Sequence, residues 1–234
     1  MMFVQGERDR MDNESSRAKS LSAAARRVLG VLVEKAKTTP DHYPLTLNGI
    51  VTASNQKSNR DPKMEIDEQD ALIAIDELKE QQAVREVQGS GRAIKYRHAA
   101  YEWMDIGDAG SAVMTELLLR GPQTVGELRT RASRMYSFAD LHALQPVLDQ
   151  LCEQKLVEPL TPSGRGQLFA HTLYQNQEKQ YLLERIQKRQ VVDPKTTTSP
   201  VTANLDAVEK LVARLEEVTT RIDALEQRLS ELEN

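Results

Sequence analysis

The chain has 234 residues, of which 39% are hydrophobic and 28% charged, and its formal net charge is −4 with an isoelectric point near 5.7. This composition is typical of a soluble globular protein, and the acidic excess argues against a general polyanion binder, although local basic patches can still bind. The single cysteine excludes an intrachain disulfide, and no apolar run approaches the ~20 residues that span a membrane, so we expect a cytoplasmic protein with no membrane partner.

The first 20 residues lack the apolar core of a secretory signal, and we expect them to form a disordered leader. The next stretch, LSAAARRVLGVLVEKAKTTP, spaces its apolar residues as a helix does, with Ser22 placed as the N-cap and Pro40 closing the segment. A short extended stretch, HYPLT, and a short helix within TLNGIVTASN follow. The polar loop NQKSNRDP, residues 55–62, then precedes a longer helix.

This third helix is predicted within DEQDALIAIDELKEQQ, where Asp67 can act as the N-cap. AVREV and AIKYRH alternate as strands and flank the glycine-containing turn QGSGR, which predicts a β-hairpin. The order of helix, short strand, helix, helix, strand and strand is that of a winged-helix domain, a helix-turn-helix relative with a β-hairpin wing. The buried stripe of the third helix is predicted to consist of Ala71, Leu72, Ile75 and Leu78.

The same order recurs in the next part of the chain. SAVMTELLLRGPQT predicts a helix, Thr124 and Glu127 form a candidate capping box for the next one, and VEPLTPSGRGQLFAHTLY predicts a second hairpin. The third helix either begins near Ala143, which leaves Pro146 in its first turn, or is kinked at that proline. Its predicted apolar stripe consists of Leu141, Leu144, Leu148, Leu151 and Cys152.

The predicted fold class is therefore mainly α with small β-hairpins (α+β), with two tandem winged-helix domains over residues 21–105 and 106–175 and a C-terminal coiled-coil helix. Residues 176–200 are expected to form a helical extension and a linker, and residues 201–234 to form the coiled-coil helix. Its apolar residues alternate at spacings of three and four, as in a heptad seam: Val208, Leu211, Leu215, Val218, Ile222, Leu225, Leu229 and Leu232.

This seam predicts a homo-oligomer assembled through the C-terminal helix, because a lone helix with such an apolar stripe needs a partner. The alternative is that the helix folds back on the protein's own domains. Val, Leu and Ile are mixed at the seam positions, so the sequence does not distinguish a dimer from a trimer.

Four segments, YPLTLNGIVTASNQKSNRDP, GSGRAIKYRH, LLLRGPQTVGELRTRASRMYSFAD and SGRGQLFAHTLY, together resemble the bacterial YceH-like family, whose function is largely uncharacterised. The resemblance extends from about Leu21 to Tyr174 and leaves the leader, the linker and the heptad tail outside. It implies two winged-helix domains in tandem and, by analogy of fold, DNA binding.

The sequence offers no catalytic constellation. The four histidines are scattered without metal-ligand spacing, and Cys152 lies on an apolar helical face, where a small core residue is expected. GSGR lacks the longer context of a phosphate-binding loop. We therefore expect a protein that is not an enzyme and has neither a cofactor nor a metal site.

Basic clusters instead indicate contacts to nucleic-acid phosphates, with DNA as a candidate partner. Residues 85–97, which include the first hairpin tip, carry four cations against one acid, and residues 120–134 carry four arginines against Glu127. The candidate phosphate contacts are Lys57, Arg60, Arg92, Lys95, Arg129, Arg131 and Arg134.

The third helix of the first repeat opposes groove binding, because residues 65–80 contain seven acids and only one base. The predicted function is therefore nucleic-acid-associated regulation through phosphate contacts from wings and loops, and the alternative is a protein-interaction scaffold with no DNA binding. Under that alternative NQKSNRDP is a structural loop, whose polar side chains cap turns and whose cations pair with acids of the next helix or reach the second domain. The cations of residues 120–134 could also face the acids of residues 65–80.

Overall fold

Two repeats of helices and short strands make up the computed structural model, which describes residues 20–88, 93–164 and 166–192. Each repeat contains a three-stranded antiparallel sheet, and this part of the chain contains eight α-helices, so the fold is of the mixed α+β class. The predicted leader up to residue 19, the heptad tail and the hairpin-tip residue Arg92 lie outside the described residues.

The first repeat comprises α1 (Ala23–Thr38), a short 3-10 turn (Pro40–His42), β1 (Leu45–Thr46), α2 (Leu47–Ser54), α3 (Glu68–Glu80), β2 (Val84–Gln88) and β3 (Ile94–His98). Its strands are ordered β1-β3-β2, and β2 with β3 forms the predicted hairpin. Both predicted N-caps are confirmed. The Ser22 hydroxyl accepts a hydrogen bond from the Ala25 N–H, and Asp67 forms a capping box at the start of α3.

The buried stripe of α3 differs from the prediction at one position. Ala71, Ile75 and Leu78 are buried as expected, but Leu72 is 42% exposed and Ala74 is buried in its place. At 3.6 residues per turn, Leu72 lies about 100° around the helix from Ala71, which puts it beside the buried face rather than within it.

The second repeat follows a short helix, α4 (Ala100–Met104), and comprises α5 (Asp108–Arg120), β4 (Gln123–Thr124), α6 (Val125–Ala132), α7 (Leu141–Glu153), β5 (Val157–Pro159) and β6 (Leu168–His171). Its strands are ordered β4-β6-β5, the order of the first repeat, and β5 with β6 forms the second predicted hairpin. The capping box of Thr124 and Glu127 is present at the start of α6. The chain then continues into α8 (Asn176–Val192), which confirms a helix at the start of the predicted extension.

Helix α7 begins earlier than predicted. Asp140 caps it by accepting a hydrogen bond from the Ala143 N–H at 2.8 Å, so Pro146 falls in the second turn and not in the first. Only one intrahelical bond is lost there, because proline lacks the N–H that would donate four residues back. The prediction that Leu141 belongs to the buried stripe is wrong, because Leu141 is the exposed first residue of the helix. Cys152 is partly buried and packs against the core, as expected for the apolar face.

The two repeats share details that indicate an internal duplication. Gln82 and Lys155, which follow α3 and α7, both adopt positive φ, at 60° and 59°. His98 and His171 end the last strand of each sheet, and the Nδ1 atom of each accepts a hydrogen bond from the N–H two residues further on. The members of each pair are separated by the same number of positions in the sequence.

The repeats pack together through α1 and α5. Gly30 of α1 lies so close to α5 that a Cβ atom there would be 2.9 Å from Leu119 Cδ2 and 3.2 Å from Leu118 Cβ. One continuous buried cluster contains residues of both repeats, which belong to a single compact unit that extends through Leu183. Across the described ranges, every helix is too short or too polar to cross a lipid bilayer.

Candidate nucleic-acid interface

The hairpin of the first repeat separates its side chains into a core face and a solvent face. Arg85 lies directly opposite Arg97, and Val87 lies opposite Lys95, so these four residues share one face. Val84 and Tyr96 belong to the other face and are buried, which identifies the face with the three cations as the solvent face. Arg85 and Arg97 are exposed, and Lys95 is partly buried.

Like charges directly across a strand pair destabilise a sheet, and the solvent face of this hairpin places two arginines opposite each other. Glu86, the one acid of the hairpin, points from the core face, where its carboxylate pairs with Lys79 of α3. Within residues 84–88 and 94–98, the solvent face therefore carries three cations and no acid. Such a surface favours an anionic ligand.

Arg60 has no access to a phosphate in this structure. Its side chain is 0% exposed, its Nη1 donates to Glu34 Oε1 at 3.2 Å, and its Nη2 donates to the other oxygen of that carboxylate. Its Nε donates to the Ala53 carbonyl at 3.1 Å. Lys57, by contrast, is exposed. Of the two cations in this loop, only Lys57 is available to a ligand.

The loop NQKSNRDP is built as a structural connector between the repeats. The Asn55 side chain exchanges two hydrogen bonds with the Ile66 backbone, at 2.7 and 2.8 Å, which closes the loop upon itself. The Asp61 N–H donates to the Leu119 carbonyl at 2.9 Å, and Asn59 accepts from Arg120, so the loop also binds α5 of the second repeat. These bonds explain its composition, because each polar side chain or backbone group named here has a partner.

Arg134 joins the same ionic cluster from the second repeat. Its Nη2 lies 2.6 Å from Glu34 Oε1 and 2.8 Å from Glu116 Oε1, so one guanidinium bridges α1 and α5. Arg120 Nε lies 3.2 Å from Glu116 Oε2, an ion-pair distance without the alignment of a hydrogen bond. Three arginines thus surround two buried carboxylates at the junction of the repeats, namely Arg60, Arg120 and Arg134 around Glu34 and Glu116.

The ionisation of Glu34 follows from these contacts. Burial by itself raises the pKa of Glu34, but the hydrogen bond from Arg60 and the charges of Arg60 and Arg134 outweigh it, so the pKa lies below its ordinary value. The carboxylate is therefore charged at neutral pH, although its side chain is only 2% exposed. An ionised group this deeply buried depends on its partners for stability.

The other two arginines nominated in the second repeat are also engaged. Arg129 Nη2 donates to the Ala139 carbonyl at 2.8 Å. Arg131 Nη1 donates to Gln123 Oε1 at 2.7 Å, and its Nη2 lies 3.1 Å from Glu127 Oε1. The expectation that this segment faces the acids of residues 65–80 is wrong within the chain, because its ion pairs are made with Glu34, Glu116 and Glu127.

Helix α3 presents an acidic surface with an apolar centre. Leu72 and Ile73 are 42% and 60% exposed, and Asp76 follows them on the same side of the helix. Lys79, the one cation of α3, is already paired with Asp76 and Glu86. Sequence reasoning identified the acids but missed the exposed apolar pair, because Leu72 continues the spacing of a buried stripe.

Burial shifts the pKa of two histidines and of the single cysteine. Burial lowers the pKa of His98 to about 4, and burial also lowers the pKa of the enclosed His171. Burial raises the pKa of the Cys152 thiol, which lowers its thiolate fraction. Among the described residues, no group of three His, Cys, Asp or Glu side chains is arranged to hold a metal ion.

Comparison with known proteins places these features in a family. A family profile described as "Protein of unknown function, DUF480" matches residues 21–165. A UPF0502 protein of Rhodopirellula baltica is 57% identical over 212 residues, which cover 88% of this chain and 90% of that protein. A UPF0502 protein of Geobacter sulfurreducens is 48% identical over 151 residues, which cover 63% and 69% of the two chains. This chain therefore belongs to the DUF480 family of bacterial UPF0502 proteins.

Proposed function

We propose that this protein is a non-catalytic tandem winged-helix protein that contacts nucleic acid through phosphates, and that it acts in nucleic-acid-associated regulation. The duplicated order of helices and strands supports the winged-helix assignment, since each repeat has three helices and a hairpin in the order of that fold. The hairpins correspond to the wings.

The solvent face of the first hairpin is the observation that carries the proposal. Arg85, Lys95 and Arg97 lie together there, and the mutual repulsion of the two opposed arginines is relieved when a phosphate binds between or beside them. Arg92 at the tip and Lys57 in the loop extend the proposed contact. Arg60, Arg129, Arg131 and Arg134 are left out, because each is engaged in the packing described above.

The contact is proposed to be independent of base sequence. Helix α3 would enter the major groove in the usual winged-helix pose, but its acids would be repelled by the phosphates that line the groove. Phosphate contacts from a wing give salt-dependent affinity and no base readout. We also propose that the protein assembles through the heptad seam of residues 201–234. An oligomer would bring several hairpins to one nucleic acid, and these weak contacts would together give a higher overall affinity.

A titration of duplex DNA of mixed sequence tests the proposal. We expect the full chain to bind at about 50 mM salt and to lose most of its affinity at about 200 mM. The variant Arg85→Gln/Lys95→Gln/Arg97→Gln should bind far more weakly, and a companion variant with Arg92→Gln tests the tip.

The matched control is Lys63→Gln/Lys155→Gln/Arg185→Gln, which removes the same number of charges from exposed positions elsewhere. This control should bind as the wild type does, apart from a small effect of net charge. An equal loss of DNA affinity in both triple variants would mean that the solvent face of the hairpin is not a specific phosphate-binding site. An absence of binding by the wild type at low salt would favour the protein-interaction scaffold instead.

A further inference from the structure

An exposed apolar pair lies at the centre of α3. Leu72 and Ile73 are adjacent, and both are large aliphatic side chains in contact with solvent over much of their surface. Ile94, also exposed, projects from the same face of the hairpin as Glu86, the residue that pairs with α3 through Lys79. Ile94 is therefore a third exposed aliphatic side chain, on the face of the hairpin that pairs with α3.

The fold itself does not require this apolar pair. When the two repeats are aligned at the N-cap residues of α3 and α7, Leu72 corresponds to Gln145 and Ile73 corresponds to Pro146. Gln145 donates a hydrogen bond to Asp149 at 2.8 Å, so the second repeat has a polar surface at the corresponding place. Two aliphatic side chains exposed in one repeat and replaced in the other indicate a binding surface specific to α3.

The charges around Leu72 and Ile73 indicate which kind of surface can bind there. Asp67 and Asp70 are used in the capping box, and Glu77 accepts from the Ser22 N–H, but the side chains of Glu68 and Glu80 make no hydrogen bond or ion pair with another described residue. A nucleic acid would bring phosphates against these carboxylates. A cationic surface with aliphatic side chains at its centre complements both features.

We propose that the exposed face of α3 binds a cationic amphipathic helix of a partner protein. Its aliphatic residues would cover Leu72 and Ile73, and its Lys or Arg residues would pair with the flanking acids, as in other complexes where an amphipathic helix lies on an apolar surface. The surface lies apart from the solvent face of the hairpin, so this inference stands whether or not the hairpin binds nucleic acid.

A synthetic helical peptide of leucine and lysine, with leucines at i, i+3, i+4 and i+7, is a suitable probe. Fluorescence anisotropy at about 150 mM salt, where long-range attraction is screened, should detect binding to the full chain. Leu72→Gln/Ile73→Gln should weaken binding at least roughly tenfold, because two buried aliphatic contacts are lost. A peptide with glutamate in place of lysine should not bind.

The control Leu141→Gln removes an exposed leucine from α7 and should leave peptide affinity unchanged. Amide chemical shifts of the labelled protein should move along α3, and circular dichroism confirms that the variants fold. Equal binding by Leu72→Gln/Ile73→Gln and the wild type, or no binding of the lysine peptide, would overturn the proposal. DNA affinity of Leu72→Gln/Ile73→Gln should equal that of the wild type, which separates this test from that of the hairpin.

Discussion

Arg134 reaches from the second repeat to Glu34 of the first, and its Nη2 lies 2.6 Å from Glu34 Oε1. The same carboxylate receives Arg60 from the loop, so one buried side chain receives cations from both repeats. Breaking a buried ion pair on one side is strongly destabilising, because the remaining charge loses its partner in a region of low polarity. Glu34 therefore connects α1 both to the loop and to the second repeat through one carboxylate.

Replacing this carboxylate tests the role of the cluster. We predict that Glu34→Gln lowers the free energy of unfolding by about 3–5 kcal/mol, since Arg60 would remain buried without a counter-charge. Urea denaturation measures the loss. The control Glu158→Gln breaks the partly exposed pair with Lys179 and should cost about 0–1 kcal/mol. A loss for Glu34→Gln no greater than for this control would contradict the account.

The close approach of α1 and α5 gives a second prediction. Gly30→Ala should destabilise the protein by about 1–2 kcal/mol, because the new Cβ would meet the buried Leu118 and Leu119 side chains, and this outweighs the gain in helix propensity. Gly126→Ala in α6 provides the matched control, since nothing lies within 4 Å of its Cβ position. There we expect a stabilisation of about 0.5–1 kcal/mol. Thermal unfolding measures the stability of both variants. A Gly30→Ala variant more stable than the wild type would contradict the close contact between α1 and α5.

Acid should destabilise the protein partly through His98. Burial and the nearby charges of Arg97 and Lys37 lower its pKa from 6.5 to about 4, against the opposing charge of Glu102. Between pH 6.5 and pH 4, the unfolded chain binds a proton at His98 that the folded chain does not. The neutral His98 therefore contributes to the free energy of unfolding above about pH 6.5, and this contribution is lost as the pH falls toward 4. The loss amounts to roughly 3 kcal/mol.

Unfolding free energies of His98→Gln between pH 7 and pH 4 check this assignment. Their pH dependence should be weaker than that of the wild type, whatever the stability of the variant at pH 7. His142, which is exposed, serves as the control, and His142→Gln should retain the wild-type dependence. If the unfolding free energy of His98→Gln changed with pH as steeply as that of the wild type, His98 would not be the source of the acid destabilisation.

Local sequence signals predicted local structure well. Ser22, Asp67 and Thr124 were identified as caps because a cap and its N–H partner lie within three residues of each other, and the hairpins were identified from alternation and glycine turns. The role of Arg60 could not be predicted in the same way. Its partner Glu34 is 26 positions away, and only packing of the loop against α1 brings the two together.

The exposed apolar residues of α3 are a second feature that the sequence pattern did not predict. Leu72 lies three residues before Ile75 and six before Leu78, which is the spacing of a neighbouring stripe. The buried residues Ala71, Ala74, Ile75 and Leu78 follow the i, i+3, i+4, i+7 pattern, in which the small side chain of Ala74 gives only a weak apolar signal. The neighbouring elements decide which of two adjacent stripes is buried.

The heptad seam predicts an oligomer that depends on the C-terminal segment. Truncation after Val192 should reduce the molar mass measured by light scattering to that of one chain, because all eight seam residues are removed. The full chain should show at least twice the mass of one chain. An unchanged number of chains per particle after truncation would mean that the seam is not the contact between subunits.

The salt dependence of DNA binding tests the central proposal most directly. The logarithm of the association constant is measured against the logarithm of salt concentration for the wild type, Arg97→Gln and the control Arg185→Gln. We expect the slope for Arg97→Gln to be shallower by about 0.9, the value for one lost phosphate contact, and the control to keep the wild-type slope. Identical slopes for all three proteins, or no binding at low salt, would contradict the central proposal.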